Sequence, residues 1–343
     1  MLKKLKIPVI FAIIVIFLYF IGIMRQNSKS GKSRKKLEIV NVSYDPTREL
    51  YEKYNKLFME YYRQKYGQDV KISQSHGGSG SQARSVIEGL DADVVTLALE
   101  NDVALLEKAD LLEKGWVNQF PGSSSPYTST IVFLVRKGNP KNIKDWNSLT
   151  EKGIKVITPD PKSSGGACWN FLAAWSYGRE KFGNDEHKIQ NFVKNIYDNV
   201  TVMDSGARAA TTTFVENNQG DVLIAWENEA IATVREYPEK YEIVYPSVSI
   251  LAQPTVAVVD KVAKSNGTYR ISTEYLKYLY SEKAQEIIAE SGYRPYNQKI
   301  LKKYENKFDL KMKLTKIDEF GGWKKAYEKF FNEGALFDKI YEN

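Results

Sequence analysis

Residues 156–170, which read VITPDPKSSGGACWN, form the stretch that decides the fold of this chain. The β-branched run at its start is typical of a buried strand, and the run after Gly166 is typical of a helix. Between them, two serines and two glycines suit a helix cap, an anion-binding turn or the turn of a catalytic nucleophile. A strand that passes through a short turn into a helix is the repeating unit of α/β folds.

Turns of this kind recur along the chain, each after a strand-like run and before a helical one. The other three are Asp45-Pro46, Ser79-Gly80 and Ser205-Gly206-Ala207. Each offers Asp or Ser as an N-cap, and a helix start exposes unpaired N–H groups at the positive end of the helix dipole. If two turns come from each of two lobes, they can converge on one anion between the lobes. Plain helix capping is the alternative interpretation of each turn.

The strands and helices predicted after residue 36 alternate, which indicates mainly parallel sheets flanked by helices. One sheet does not take so many strands, so the sequence predicts an α/β protein of two lobes. The first lobe is expected at 37–130 plus 254–300 and the second at 131–253. The chain would cross between them within YTSTIVF (127–133) and QPTVAVV (253–259). The helices of 301–343 are assigned to neither lobe.

The net charge of +7 is concentrated at the N-terminus. Nine of the Lys and Arg residues lie in residues 1–36, which contain no Asp or Glu, so residues 37–343 carry a net charge of −2. A nearly neutral body does not offer the basic face that nucleic-acid binding requires. The distribution of charge therefore predicts no nucleic-acid partner.

Residues 7–24 are an uncharged, mostly apolar run with three lysines before it and a basic polar segment after it. This pattern is typical of an export signal, either cleaved or retained as a membrane anchor. No cysteine lies near the run, which excludes lipid attachment through Cys. We therefore expect 1–36 to be a signal or anchor with a basic linker, and the rest of the chain to be periplasmic or otherwise extracytoplasmic.

Catalytic and metal-binding motifs are sparse in this chain. The stretch GGSGS around Ser79 lacks the last glycine of a nucleophile elbow, and the Lys162-Ser163 pair precedes its glycines, unlike the order in a phosphate-binding P-loop. His76 lies three residues before Ser79 but has no obvious orienting acid, and His187 lies in a charged segment. No Cys/His cluster has metal-ligand spacing. The sequence thus predicts a binding protein, without an enzyme's catalytic residues, a metal or a cofactor.

A family resemblance is carried by long stretches that occur in order between about residues 37 and 330. These stretches are NVSYDPTRELYEKYN, QSHGGSG, DADVVTLAL, YTSTIVFLVRKGNP, VITPDPKSSGGA, DSGARAATTTFVE and GDVLIAWENEA. They resemble the bacterial periplasmic sulfate-binding proteins, which are substrate-binding components of sulfate/thiosulfate ABC importers. The resemblance implies a two-lobed periplasmic-binding-protein fold of type II that closes on its ligand, and a monomer that delivers sulfate or thiosulfate to a membrane permease.

The resemblance also implies a ligand held without direct salt bridges, by backbone N–H groups, serine hydroxyls and an indole N–H. Carried over by motif position, the ligand-binding residues are Asp45, Ser79, Ser164, Gly165, Gly166, Ala207 and Trp226. His76 and Arg208 are expected to contact these ligand-binding residues without touching the ligand themselves. Trp226 taken by itself reads as a core residue, but an indole N–H is a donor only and suits an anion that only accepts.

Two positions depart from the family pattern around the KSSGG turn. Asp160 stands where Asn is common, and Cys168 where an Arg charge is common. The loss of that Arg puts affinity in question. Cys168 is either a thiol of lowered pKa at a helix start or a small buried side chain.

Other functions stay open at this stage. The same architecture serves receptors for other oxyanions, such as molybdate, tungstate or phosphate. A sensor that binds sulfate without feeding a transporter is a further possibility. An exported hydrolase with Ser79 or Ser164 as nucleophile is the enzymatic alternative, and the sequence offers it no triad.

Overall fold

A computed structural model describes residues 37–341 of the chain. Strands and helices alternate along most of this length. The strands are β1 (Leu37–Tyr44), β2 (Val70–Gly77), β3 (Val94–Leu97), β4 (Tyr127–Thr128), β5 (Ile131–Arg136), β6 (Val156–Pro159), β7 (Val200–Asp204), β8 (Val222–Trp226), β9 (Tyr241–Val244), β10 (Val248–Ile250), β11 (Thr255–Val258), β12 (Arg294–Pro295) and β13 (Lys313–Thr315).

Helices follow most of these strands. The α-helices are α1 (Arg48–Tyr66), α2 (Ser79–Ile87), α3 (Glu100–Lys108), α4 (Pro121–Ser124), α5 (Gly165–Phe182), α6 (Glu186–Tyr197), α7 (Ala207–Val215), α8 (Glu227–Glu236), α9 (Asp260–Asn266), α10 (Tyr269–Tyr278), α11 (Glu282–Glu290), α12 (Gln298–Lys303), α13 (Gly322–Phe330) and α14 (Leu336–Tyr341). Short 3₁₀ turns cover Asp45–Thr47, Trp116–Asn118, Trp146–Thr150 and Ile317–Phe320.

The first lobe is built on a four-stranded sheet in the order β11-β3-β1-β2. β1 and β3 are parallel, with Val42 opposite Val95, and β11 runs antiparallel to β3. The apolar side chains of this sheet share a core with those of α2 and α3, including Ala83, Val86 and Val103. Every residue of β3 is buried, which explains why this strand reads as a continuous run rather than an alternating one.

The second lobe is built on a five-stranded sheet in the order β7-β6-β8-β5-β9. Alternate residues of β5 enter two cores: Phe133 packs in the core that contains Phe171 of α5, and Leu134 in the core that contains Phe214 of α7. β6 is parallel to β7 and β8, whereas β5 is antiparallel to β8 and β9. The prediction of a two-lobed α/β fold is confirmed, although both sheets are mixed.

β5 and β11 run antiparallel to their neighbours in the two sheets. Each of them is the strand that the chain enters after it crosses between the lobes. The crossing segments lie side by side, where Ser129 and Ala252 exchange two backbone hydrogen bonds of 2.9 Å each. A further crossing follows α12, because β13 pairs in parallel with β10, which lies against α5 of the second lobe.

The C-terminal helices α13 and α14 pack on the second lobe, an assignment that the sequence left open. Phe330 and Phe337 lie in the same core as Phe171, with ring centroids 5.6 and 5.9 Å from that residue. Trp323 meets Trp169 edge to face at 4.5 Å. Trp323, Phe330 and Phe337 therefore belong to the core, whereas Tyr341 is exposed.

No helix within residues 37–341 is both long and apolar enough to cross a membrane. The apolar run 7–24 and the basic linker, expected to form an export signal or anchor, lie outside the described residues.

Candidate functional site

The four turns singled out in the sequence each follow a strand and open a helix. They follow β1, β2, β6 and β7 and lead into the 3₁₀ turn at Asp45, α2, α5 and α7. The first N–H groups of each helix have no partner inside it. The prediction that Asp45 and Ser79 are N-caps is wrong, because both are the first helical residue, behind Tyr44 and Gly78. Ser205 is not an N-cap either, because Gly206 occupies that position before α7.

The helix starts of the two lobes meet at van der Waals contact. A Cβ placed on Gly165 would lie 3.0 Å from the Ser79 Cβ. A Cβ on Gly206 would lie 3.7 Å from Oδ2 of Asp45. The lobes are thus closed on each other, and the helix starts of both lobes lie close together.

The two glycines of the KSSGG turn are required by this close approach. The Gly165 Cβ would stand 2.9 Å from Cγ of Leu99, and the Gly166 Cβ 3.0 Å from Nε1 of Trp226. Neither distance leaves room for a methyl group without a shift of the neighbours. Here Gly serves to bring the backbone close, as it does where a main chain approaches a ligand.

Asp160 shapes the turn from its own backbone and side chain. Its carbonyl oxygen accepts the N–H groups of Ser163 at 3.1 Å and Ser164 at 2.8 Å, and its Oδ1 accepts the N–H of Lys162 at 2.8 Å. This last bond is an Asx turn, which the side-chain oxygen of Asn forms equally well. The replacement of Asn by Asp therefore leaves the turn intact.

Ser164 caps α5 with its backbone but not with its side chain. The residue is extended (φ −115°, ψ 113°), 4% exposed, and its hydroxyl makes no capping bond. Its Oγ lies 3.5 Å from the position of a Cβ on Gly166, so the hydroxyl lies beside the backbone of that glycine. The hydroxyl proton is thus available to a ligand at the same place.

The Ser79 hydroxyl, in contrast, is already used within the first lobe. It donates to Oδ2 of Asp102 at 2.5 Å and accepts the N–H of Ala98 at 3.0 Å. What Ser79 can offer a ligand is its backbone N–H. Burial raises the pKa of Asp102 to about 6, with the Ser79 hydrogen bond and the Arg84 charge acting in the opposite direction.

Trp226 closes the region from the end of β8. Its side chain is 1% exposed, and its Nε1 donates to the carbonyl oxygen of Gly166 at 3.2 Å. The ring packs against Tyr44, the residue before Asp45, at a centroid distance of 5.5 Å. The indole N–H is therefore paired with the Gly166 carbonyl oxygen in this structure, and it would have to leave or share that bond to bind a ligand.

Arg208 lies behind Ala207 and is paired with two carboxylates. Its Nη2 is 2.9 Å from Oε2 of Glu49 on the first lobe and 3.2 Å from Oε1 of Glu229 on the second. Burial raises the pKa of Glu229 to about 7, and the Arg208 charge partly opposes this rise. The arginine charge is therefore neutralised locally rather than aimed at the helix starts.

His76 and Cys168 lie near the region without an evident chemical role. Burial lowers the pKa of His76, and the nearby Arg48 charge adds to this, so the imidazole is neutral. Cys168 is 1% exposed, and its Sγ contacts the Pro161 carbonyl oxygen at 3.4 Å. Burial raises the pKa of the thiol, so the alternative of a reactive thiolate at a helix start is wrong.

The serine-nucleophile alternative finds no support in these contacts. The Ser79 hydroxyl is paired with a carboxylate, and His187 is exposed and contacts Asn191 at 3.2 Å through Nδ1. Within residues 37–341, no three His, Cys, Asp or Glu side chains are grouped to hold a metal.

Sequence reasoning reached the residues of the helix starts but missed the carboxylates behind them. Asp102, Glu49 and Glu229 are ordinary charged residues of helical segments in the sequence. Their partners are 23, 159 and 21 residues away along the chain, so no local motif marks them.

Comparison with known proteins places this geometry in a family. Residues 44–294 match the model of the bacterial extracellular solute-binding protein family. The chain is 58% identical to the sulfate-binding protein of Escherichia coli K12 over 89% of its length and 93% of that protein. It is 44% identical to the thiosulfate-binding protein of Pseudomonas aeruginosa over 91% of its length and 94% of that protein.

A solved structure gives the same result. The sulfate-binding protein SubI of Mycobacterium tuberculosis H37Rv superposes with a TM-score of 0.77 at 32% identity, over 86% of this chain and 100% of that one. With the fold, the converging helix starts and these relatives in agreement, the chain belongs to the bacterial extracellular solute-binding protein family.

Proposed function

We propose that this protein binds sulfate or thiosulfate outside the cytoplasm and delivers it to the membrane permease of an ABC importer. The observation that carries the proposal is the meeting of the helix starts of both lobes around backbone N–H groups and two side-chain donors. These donors are the N–H groups of Asp45, Ser79, Gly165, Gly166 and Ala207, the Ser164 hydroxyl and the Trp226 indole N–H. The sulfate- and thiosulfate-binding relatives support the choice of anion.

The charges around the site favour an anion bound by dipoles rather than by ion pairs. Arg208 is paired with Glu229 of its own lobe and, in the closed form, also with Glu49, so its charge is compensated within the protein. Backbone N–H groups at helix starts carry partial positive charge and bind anions without a formal cation. A fully deprotonated dianion matches a set in which every group can donate a hydrogen bond.

The same donor set discriminates against phosphate. Near neutral pH phosphate keeps a proton that needs an acceptor, whereas sulfate has none. Burying an unpaired donor costs about 1–3 kcal/mol, which corresponds to roughly a ten- to hundredfold loss of affinity. The Ser79 oxygen cannot supply the acceptor, because it already accepts from Ala98 while donating to Asp102. The Ser164 oxygen could accept only by turning its own proton away from the anion.

The mechanism of capture follows from the two lobes. The lobes, which we assign to 37–130 plus 254–300 and to 131–253, open about the paired segments at Ser129 and Ala252 and close on the anion. Contacts such as that between Gly165 and Ser79 form only on closure. We infer a monomer in which the closed form is the one presented to the permease.

Calorimetric titration of the purified protein tests the proposal, with sulfate, thiosulfate, phosphate and molybdate compared in one buffer. Tight binding of sulfate or thiosulfate with phosphate inert is the expected result. A preference for phosphate or molybdate would assign the site to another oxyanion. The absence of heat with all four would reject an oxyanion receptor.

A further inference from the structure

A buried ion pair joins the two lobes directly beside Trp226. Glu227 is the first residue of α8 and is fully buried, and Arg294 of β12 is 5% exposed. Nε of Arg294 lies 2.6 Å from Oε2 of Glu227, and its Nη2 lies 2.8 Å from Oε1. Two parallel hydrogen bonds of this kind fix the planes of the two charged groups relative to each other. The pair therefore holds the start of α8 in one orientation relative to β12.

Both partners of this pair are also held by segments that cross between the lobes. The N–H of Glu227 donates to the Thr130 carbonyl oxygen at 2.8 Å. Arg294 lies opposite Thr128 where β12 pairs with β4. Nη2 of Arg294 also donates to the carbonyl oxygen of Asp309 at 3.0 Å, on the segment between α12 and β13 that makes the last crossing. The ion pair thus lies among the segments about which the lobes turn, and it does not bridge the cleft.

Tyr293 extends the contact to a helix start of the first lobe. Its hydroxyl oxygen accepts from Nδ2 of Asn228 at 3.1 Å and lies 3.5 Å from the hydroxyl oxygen of Tyr44. Tyr44 directly precedes the first of the four turns, and Asn228 lies in the first turn of α8. Gly292 packs here with φ +85°, and a Cβ on it would lie 3.1 Å from Cα of Asn228. Residues 292–294 therefore contact elements of the site from both lobes.

Stability alone does not account for a buried ion pair. Taking two charges out of water is costly, and apolar side chains of similar volume often stabilise a protein as well or better. Apolar contacts are not directional, however, so they do not fix one relative orientation of two elements. The planar guanidinium group does so when it binds a carboxylate through two bonds, whereas the point charge of a lysine does not. The geometry of this pair therefore indicates a role in orientation.

We propose that Glu227 and Arg294 are positioning residues of the anion site, and that their ion pair stays intact while the lobes open and close about it. The pair then holds Trp226 and the start of α8 in place before the anion arrives. In this it differs from the pair of Arg208 and Glu49, which joins the lobes only in the closed form. The inference rests on the proposed function, because it needs an anion on which the lobes close.

The test is a double variant of the full-length protein, Glu227→Leu with Arg294→Met, which leaves no buried charge without a partner. Urea denaturation without sulfate measures its stability, and we expect an unfolding midpoint close to that of the unmodified protein. Calorimetry should show sulfate affinity about tenfold weaker, as when only about a tenth of the molecules hold the binding arrangement. In stopped-flow tryptophan fluorescence the loss should lie in the association rate, because the site must assemble before it binds.

The matched control is Glu286→Leu with Lys303→Met, which makes the same replacements at an exposed ion pair of α11 and α12. Their side chains are 42% and 61% exposed, so affinity and both rates should stay unchanged. Unchanged affinity in the buried double variant overturns the positioning role. A loss confined to the dissociation rate also overturns it, because the pair would then only stabilise the closed form.

If the double variant does not fold, a measurement on the unmodified protein decides. Heteronuclear NMR spectra of the arginine side chains, recorded without and with sulfate, report whether rotation of the Arg294 guanidinium group is hindered. Hindered rotation in both states supports the inference, and hindrance that requires sulfate overturns it. No sulfate binding by the unmodified protein overturns the proposed function instead, so the two failures are distinguishable.

Discussion

Nη2 of Arg208 lies 2.9 Å from Oε2 of Glu49 and joins a helix of the second lobe to a helix of the first. The same nitrogen is 3.2 Å from Oε1 of Glu229, which is 5% exposed. Because Arg208 and Glu49 belong to opposite lobes, their ion pair is a contact of the closed form. It stabilises closure without placing a free cation on the anion site.

Replacing Glu49 with Gln should therefore speed ligand release. The Glu49 side chain is 51% exposed, so the pair contributes about 0.2–1 kcal/mol, or up to about a fivefold change in dissociation rate. Stopped-flow tryptophan fluorescence with sulfate measures this rate. Glu52→Gln, an exposed residue of the same helix, is the control, and equal rates for both variants would contradict the role of the ion pair.

The two serines of the site should respond differently to replacement by Ala. Ser164→Ala removes a hydroxyl proton that is free to bind a charged ligand, so we expect about a ten- to hundredfold loss of sulfate affinity. Ser79→Ala keeps the N–H but leaves Asp102 and the Ala98 N–H without a partner, so it should lower the free energy of unfolding by about 1–3 kcal/mol. Calorimetry and urea denaturation measure the two effects. The reverse order of affinities would show that the Ser79 hydroxyl binds the ligand.

Gly165→Ala should prevent full closure of the lobes. The added methyl carbon would stand 2.9 Å from Cγ of Leu99 and 3.0 Å from the Ser79 Cβ, so we expect sulfate affinity to fall by about tenfold or more. Gly77→Ala is the matched control, because its methyl group meets the Gln82 side chain at an ordinary 3.5 Å. Small-angle scattering with saturating sulfate reports closure, and normal compaction of Gly165→Ala would contradict the prediction.

The thiol of Cys168 should be inert in the folded protein. It is 1% exposed and its pKa is raised by burial, so the thiolate is scarce at pH 8. A chromogenic disulfide reagent should label the denatured chain fully and the native protein only at the rate of unfolding. Fast labelling of the native protein would show that the thiol is accessible.

Stability should fall as the pH rises because of Glu229. Its pKa is raised by burial from 4.5 to about 7 in the folded protein, so its stabilising contribution is present below pH 4.5 and is lost through pH 7. The loss is about 2–3 kcal/mol in the free energy of unfolding. Urea denaturation between pH 5 and 8 should show a flatter profile for Glu229→Gln, and an unchanged slope would assign the pH dependence elsewhere.

The sequence predicted the two-lobed α/β fold and the four turns at which strands pass into helices. Ser-Gly turns and Asp-Pro are local signals, so they can be read without knowing the tertiary structure. Helix boundaries at these turns were less accurate, because Asp45 and Ser79 fit an N-cap by residue type but occupy the first helical position. Local residue preference does not distinguish neighbouring positions at a helix start.

The groups behind the site depend on contacts that no spacing encodes. Asp102 reaches Ser79 only after the first sheet has formed, and Arg208 reaches Glu49 only after the lobes have closed. The C-terminal helices pack on the second lobe through aromatic contacts around Phe171, and their sequence did not assign them to either lobe. Such partners follow from the tertiary fold alone.

Lys162, inside the KSSGG turn, ties the site to the last residues described. Its Nζ lies 2.6 Å from Oδ1 of Asp338 and also donates to the carbonyl oxygens of Phe331 and Asn332 at 3.1 Å. Asp338 follows Lys162 by 176 residues in the chain, so the ribosome synthesises it later. A nascent chain therefore carries every donor of the site before it carries the segment that anchors the turn, and a premature stop before Phe331 would yield a protein with all of those donors and no such anchor.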